Sequence, residues 1–269
     1  MTWTVMRFDL RRSRALILVF SLGIAIYGLI MAAFVPTIKE NAEALDQYIE
    51  VFPQAFRDAF GIEAGASWAT IGGFLGIEYF DLVWVFVAAI LAIIIGSRGV
   101  AAEFGRGTIE TPLATRISRL GYLVGTIGSQ LTVLAVFTVF SIAGVLVAAP
   151  VVGFELDPTG FAYVGLLCFA FAAAVAGATT LLSVLLLDRG RVAAVAAVVL
   201  VGMYLLNVIA RIDDRVEWLS NLSAFNYFST GAIIDDPALP ATEIVLFAAI
   251  AVIGWVLALI LFRRRDLAV

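Results

Sequence analysis

Apolar residues in this chain come in long uninterrupted blocks, and nearly all the charge is confined to the short segments between them. A helix that crosses about 30 Å of hydrocarbon needs roughly 20 mostly apolar residues at about 1.5 Å rise per residue. On that measure the blocks predict six spans, at 15–35, 79–97, 120–149, 160–187, 191–210 and 243–262. The second is uncharged only from Leu82 and reaches spanning length by taking Tyr79 and Asp81 at its edge. The third lies in an uncharged run over 120–154, too short for two spans and a turn. With Pro150 near its end, it predicts one long tilted helix. The fold class expected is therefore an all-α integral membrane protein, with residues 1–269 forming a single transmembrane domain.

Composition narrows the chemistry. Of the 269 residues 62% are hydrophobic and 14% charged, and the mean hydropathy is +1.05. Soluble domains carry about a quarter charged residues. The sequence has no histidine, which excludes Ser–His triads and His-ligated zinc or haem. Its one cysteine, Cys168, excludes an intrachain disulfide and reads as a small hydrophobe in an apolar span. A net charge of −4 argues against binding nucleic acid.

Charge also orients the chain. The N-terminal segment, the second and fourth loops and the C-terminal tail together hold 13 basic and 5 acidic residues, and the remaining loops hold 4 basic and 16 acidic. The positive-inside rule then places both termini in the cytoplasm of a multi-pass plasma-membrane protein. The first span is expected to be retained, because its 21 apolar residues exceed a signal core of roughly 7–15 residues and no small-residue cleavage site follows. A single lysine against sixteen arginines, with an acidic outer face, fits a high-salt habitat (a halophile).

The connecting segments differ in kind. Residues 1–14 interleave Trp3, Met6, Phe8 and Leu10 with Arg7, Arg11, Arg12 and Arg14, the mixture of a helix lying in the membrane interface. The external segment 36–78 is acidic. Two short amphipathic helices are expected within it, at 42–48 and 54–60, and Gly72, Gly73 and Gly76 are expected to loosen the approach to the second span. Segment 211–242 carries Trp218, Leu219, Leu222, Phe225, Tyr227 and Phe228, too apolar for a solvated loop and too short for two spans. It predicts re-entrant helices packed on protein. Asn221-Leu222-Ser223 is a formal glycosylation sequon.

The most informative stretch is the loop 98–119. Thr108 or Thr111 can cap a helix that has Pro112 at its first position, and Ile109, Leu113 and Ile117 recur every four residues as one apolar face. Such a helix suits docking into a partner's groove, and an ordinary basic loop accounts for the charge equally well. Here the sequence resembles the permease subunits of type-2 ATP-binding-cassette (ABC) exporters. The resemblance rests on Ala102-Glu103, Gly107-Thr108-Ile109-Glu110, Leu113-Ala114-Thr115 and Ile117-Ser118-Arg119. It extends to Phe52-Pro53-Gln54-Ala55-Phe56, to Trp218-Leu219-Ser220 with Phe225-Asn226-Tyr227-Phe228, and to the closing Phe262-Arg263-Arg264-Arg265-Asp266-Leu267. Arg116 stands where a proline often precedes the Ile-Ser-Arg triplet, and the lysine that often follows is absent.

The resemblance implies an N-terminal interfacial helix, a coupling helix between spans two and three, and re-entrant helices before span six. It also implies a second permease chain, identical or paralogous, and two copies of a separate ABC ATPase that carries ATP and magnesium. This chain has no G-x-x-x-x-G-K-[ST] motif, so it is expected to bind no cofactor of its own and to be a non-catalytic subunit. Residues expected to couple to the ATPase are Glu103, Arg106, Gly107, Thr108, Ile109, Glu110, Leu113 and Arg116. The family's dimer contact falls around spans one and five, which favours Ala193, Ala194, Ala196 and Ala197 over the Gly121-xxx-Gly125 motif.

Ionisable and polar groups near the membrane are few. Glu78 and Asp81, three apart on one helical face, and Asn207 in the fifth span are the candidates for a pathway, expected to pass a hydrophobic or amphipathic substrate. Two other classes remain open: an ion-coupled secondary transporter, which would want more intramembrane charge and a repeated span pattern, and a non-transporting membrane scaffold or signalling subunit.

Overall fold

The computed structural model describes residues 2–41, 70–99, 101, 118–153 and 156–264, with 44, 47, 51 and 53 as isolated positions. Among these the ordered elements are all helical. In chain order they are α1 (Thr2–Arg12), α2 (Arg14–Glu40), α3 (Ile71–Arg98), α4 (Arg119–Val152), α5 (Pro158–Leu186), α6 (Arg189–Ile212), α7 (Gly231–Asp235) and α8 (Ala241–Arg264). Two 3₁₀ helices, Asp214–Leu222 and Ala224–Tyr227, precede α7. Six of the helices, α2 to α6 and α8, are long and apolar enough to cross a membrane. The chain is an all-α integral membrane protein.

Helix ends follow local chemistry. The side chains of Ser118, Asp157 and Asp188 cap α4, α5 and α6 by accepting from the amides of Gly121, Thr159 and Arg191 at 3.0, 2.8 and 2.7 Å. Pro158 opens α5, where its missing N–H is no loss. Gly153, at φ 84°, ends α4 in the left-handed conformation. Glycine accepts that conformation most readily.

Two helices run past the limits that hydropathy suggests. Helix α2 continues through Pro36 to Glu40, five residues beyond the predicted span. Proline removes one backbone hydrogen bond and crowds the carbonyl four residues back, at Ala32, and does not end the helix here. Helix α3 begins at Ile71 rather than Tyr79. Gly72, Gly73 and Gly76, expected to loosen its approach, lie inside the helix, and Thr70 caps it by accepting from the Gly73 amide at 2.8 Å. Helix α4 has 34 residues and is continuous, as its uncharged run predicts. At the usual rise per residue it is about 51 Å long.

The helices divide by burial. Within its most apolar window, 67% of α5 is buried inside the protein, against 17% of α6, although both are long and apolar enough to span. Helix α5 owes part of its burial to close contact with α8. A Cβ added at Gly177 of α5 would lie 2.6 Å from the Ala251 carbonyl of α8, and one at Gly254 would lie 2.6 Å from the Gly177 carbonyl carbon. These backbones touch, as small residues permit between helices in lipid. Helix α6 instead turns Val195, Val198, Val201 and Leu205 outward.

The chain ends gather at one pole. Helix α1, the C-terminal end of α3 and the N-terminal ends of α4 and α6 meet there. So do the last turns of α5 and α8, through a cluster of Val5, Leu123, Val184 and Phe262. This pole carries the N-terminal arginines, Arg98, Arg119, Arg189 and Arg263, and is called the basic pole below. Helix α7 and the starts of α3 and α5 form the opposite pole.

Candidate functional site

The eight coupling candidates, Glu103, Arg106, Gly107, Thr108, Ile109, Glu110, Leu113 and Arg116, lie outside the described residues. The stems of their loop are described, and both are held at the basic pole. On the incoming side, the Ala101 amide donates to Ser183 Oγ of α5 at 2.9 Å, and Tyr122 Oη of α4 donates to the Gly99 carbonyl at 3.3 Å. On the outgoing side, the Ser118 cap starts α4. The loop thus leaves and re-enters the bundle beside α1.

Helix α1 is itself docked by glycines. Gly121 and Gly125 of α4 face Thr2 and Val5, and a Cβ at Gly125 would lie 2.7 Å from the Thr2 carbonyl. Gly128 meets the Met6 sulfur at 3.2 Å by the same measure. The small-residue motif at 121–125 therefore serves a contact within this chain. Trp3 and Phe8 point away from the protein, each 62% exposed.

At the opposite pole α3 is wound unusually. Leu75–Trp84 is a π-helix of ten residues. That geometry is rare beyond a single turn and recurs at functional sites. Its i to i+5 hydrogen bonds put more residues in each turn than the roughly 3.6 of an α-helix, so positions three apart no longer return to one side. In this winding Glu78 and Asp81 are turned further from each other around the helix than α-helical spacing predicts. Asp81 meets Thr230 before α7, accepting from Thr230 Oγ1 at 2.9 Å and from its amide at 3.4 Å. Glu78 is half-buried.

The same corner is closed by backbone contact. Asp235 of α7 accepts from the Gly72 amide at 2.8 Å, and a Cβ at Gly76 would stand 2.5 Å from Gly231 Cα. Phe225 and Phe228, between the first 3₁₀ helix and α7, enter the core. Phe228 stacks on Trp84 at 5.9 Å with an interplanar angle of 5° and lies 4.9 Å from Phe171 of α5. The apolar segment 211–242 thus packs on protein, as its composition requires.

Two polar junctions inside the bundle go beyond what the sequence pattern predicts. Tyr79, expected at the edge of its span, is fully buried. Its hydroxyl lies 3.1 Å from both the Ile24 carbonyl of α2 and the Ser141 carbonyl of α4, against Gly28. Trp84 Nε1 donates to Ser141 Oγ at 2.8 Å. Nearer the basic pole, Gln130 of α4 pairs with Thr180 of α5, and its Oε1 accepts from Trp255 Nε1 of α8 at 3.2 Å. The available signal is Gln130 itself, a primary amide within a long uncharged run, since a polar group in lipid needs an internal partner.

Asn207 of α6 is buried, and its side-chain oxygen has no hydrogen-bond partner among the described residues. The alanines of α6 do not form one face. Ala196 is buried and Ala193 packs against the core, whereas Ala194 and Ala197 are exposed.

The described residues thus form six spans, a docked N-terminal helix and a folded segment closing one pole. None of the curated proteins compared with the chain matches it. A family model described as "Multidrug efflux system permease Rv1217c, C-terminal domain" matches residues 4–263, from within α1 to the last turn of α8. The chain belongs to that family of efflux-system permease domains.

Proposed function

We propose that this chain is the membrane-spanning permease subunit of an ATP-driven ABC exporter of the type-2 class. With a second permease, identical or paralogous, it forms a path for a hydrophobic or amphipathic substrate, and it takes its energy from a separate ATPase present in two copies. The observation that carries this reading is the efflux-permease family match across all six spans. The sequence adds that a chain without a P-loop must draw ATP energy from elsewhere.

In this reading the basic pole faces the cytoplasm, both termini included, as the arginine distribution requires. Ile109, Glu110 and Leu113 dock into the ATPase, and Glu103 and Arg106 tie the loop to the subunit or to α1. ATP works only by favouring one state of the bundle over another, so the loop's contact has to differ between the two states. Pinned stems at Gly99, Ala101 and Ser118 then pass the loop's movement to α3, α4 and α5. Asn207, Glu78 and Asp81 are the polar groups set to meet cargo, and Ala194 and Ala197 the small residues set to meet the second permease.

The test is efflux from inverted or right-side-out vesicles holding the permease with its ATPase, using a fluorescent amphipathic dye as cargo. ATP is expected to drive dye movement that stops with Leu113→Asp while both chains remain in the membrane. Movement driven by a proton or sodium gradient without ATP would replace this reading with ion-coupled transport.

A further inference from the structure

Close backbone approaches at the described glycines fall within two sets of helices. In the first set, Gly125 of α4 meets the Thr2 carbonyl of α1, and a Cβ at Gly144 of α4 would run into the Ala25 carbonyl of α2. In the second, Gly177 and Gly254 join α5 to α8, and Gly72 and Gly76 join α3 to Gly231 of α7. A Cβ at Gly160 of α5 would lie 2.8 Å from the Ile233 carbonyl of α7, and one at Gly96 of α3 would lie 3.1 Å from the Ala176 carbonyl of α5. The sets are thus α1, α2 and α4 on one side and α3, α5, α7 and α8 on the other. Where a glycine faces across, at Gly28, Gly99 and Gly165, its nearest neighbours are side chains, those of Tyr79, Thr126, and Ile142 with Thr138.

Side chains join the two sets. The Tyr79 hydroxyl of α3 reaches the Ile24 carbonyl of α2 and the Ser141 carbonyl of α4, and Trp84 Nε1 donates to Ser141 Oγ. Gln130 of α4 pairs with Thr180 of α5 and accepts from Trp255 Nε1 of α8. Apolar side chains meet across the same seam, as where Trp84 lies 5.6 Å from Phe137. Close-packed backbones hold one arrangement, whereas hydrogen bonds between membrane helices are weak and exchange partners. Tyr79 has one proton for two acceptors, so its bond can pass from one carbonyl to the other as the sets shift. Thr138 Oγ1 of α4 is buried beside Gly165 of α5 with no partner among the described residues, which leaves it for a second arrangement.

The loop 98–119 straddles this seam. Its incoming stem is held by Ser183 of α5, in one set, and its outgoing stem begins α4, in the other. We infer that α1, α2 and α4 move as one rigid body against α3, α5, α7 and α8, that the side-chain seam is the surface along which they shear, and that the loop 98–119 works across it. Displacing the loop then shifts one body along the other and leaves the packing inside each unchanged. The device does not depend on which energy source drives transport, and it is tested without transport.

The experiment measures spin-label distances by pulsed electron paramagnetic resonance on the full chain in lipid nanodiscs. The single cysteine is first removed as Cys168→Ala, and labels are placed in pairs at exposed positions changed to cysteine. Val19 with Val151 reports inside the first body, Leu166 with Leu261 inside the second, and Val19 with Ile253 across the seam. Each pair is compared before and after the seam is weakened by Gln130→Leu or by Tyr79→Phe. The distance across the seam is expected to shift or broaden by about 2 Å or more, the scale of helix shear, while both distances within a body keep their values. The unchanged pairs also show that the variant is folded, and Tyr79→Phe, which loses only a hydroxyl, serves if Gln130→Leu does not fold. A distance within a body that changes as much as the one across the seam, in the folded variant, overturns the division into two bodies. A distance across the seam that stays the same in Tyr79→Phe and in folded Gln130→Leu overturns the seam as the surface of movement.

Discussion

The two ends of α3 are held by opposite means. At its start, Gly72 and Gly76 lie backbone to backbone against Gly231, and the carboxyl contacts, Asp235 to the Gly72 amide and Asp81 to Thr230, clamp the same corner. At its finish Gly96 packs closely on Thr179 and Ala176 of α5, and the last turn and the stem beyond it add contacts from side-chain hydroxyls, those of Ser183, Tyr122 and Ser13, around a polar cavity. Close-packed backbones have one arrangement and resist change in volume. Hydroxyl contacts exchange partners at small cost, since a hydrogen bond between membrane helices is worth on average about 0.6 kcal/mol. The pole opposite the termini is thus built as a fixed joint. At the basic pole it is the loop stem, held by single hydroxyl contacts, that can exchange partners, and in the proposed reading that is where a partner pushes.

Substitution at the fixed joint should have the largest effect. Gly76→Val places a branched side chain where even a Cβ would stand 2.5 Å from Gly231 Cα. Backbone cannot yield as a side chain can, so a loss of about 3 kcal/mol is expected, at the upper end of overpacking costs. Thermal melts by size-exclusion chromatography would show it, and an unchanged midpoint would mean that the corner is not close-packed.

Next in size is Gln130→Leu, which strips Trp255 Nε1 of its buried partner, while Thr180 keeps its bond to the Ala176 carbonyl. A loss of about 1–3 kcal/mol is expected, the range for stranding a buried donor. Tyr79→Phe should cost less, about 1 kcal/mol, because the Ile24 and Ser141 carbonyls it bridges already belong to helices. If Tyr79→Phe proves the more damaging of the two, the aromatic junction rather than the amide cluster holds α4 in place.

How much of this is legible in the sequence depends on what each feature rests on. Six spans follow from hydropathy, and the structure has them, because length and apolarity alone decide what can cross hydrocarbon. The start of α3 escapes a sequence reading because its glycines carry a turn signal in soluble proteins, whereas here they allow close approach to Gly231. The shared face of Glu78 and Asp81 assumes about 3.6 residues per turn, and nothing in the local composition announces a π-helix. Gly121 and Gly125 are recognisable as a contact motif, but a pattern of small residues does not say whether its partner is α1 or another chain. The loop 98–119 stands out by motif resemblance, while its stems are fixed by Ser183 and Tyr122, residues distant in sequence.

The smallest stability effect is expected at the movable end. Ser183→Ala and Tyr122→Phe each remove one hydroxyl from the loop stem and should lower stability by about 0.5–1 kcal/mol. Their effect on ATP-driven efflux should exceed that of Tyr79→Phe, although Tyr79→Phe costs at least as much stability. Equal efflux in all three, at matched amounts of folded protein, would remove the distinction between the two ends.

Co-purification puts the central claim to the most direct test. The tagged chain, extracted in mild detergent from its native host, should bring down an ABC ATPase at one copy per permease. Leu113→Asp should release that ATPase without lowering the melting temperature of the permease. A chain that purifies without any ATPase, under conditions that preserve such complexes, would contradict the account.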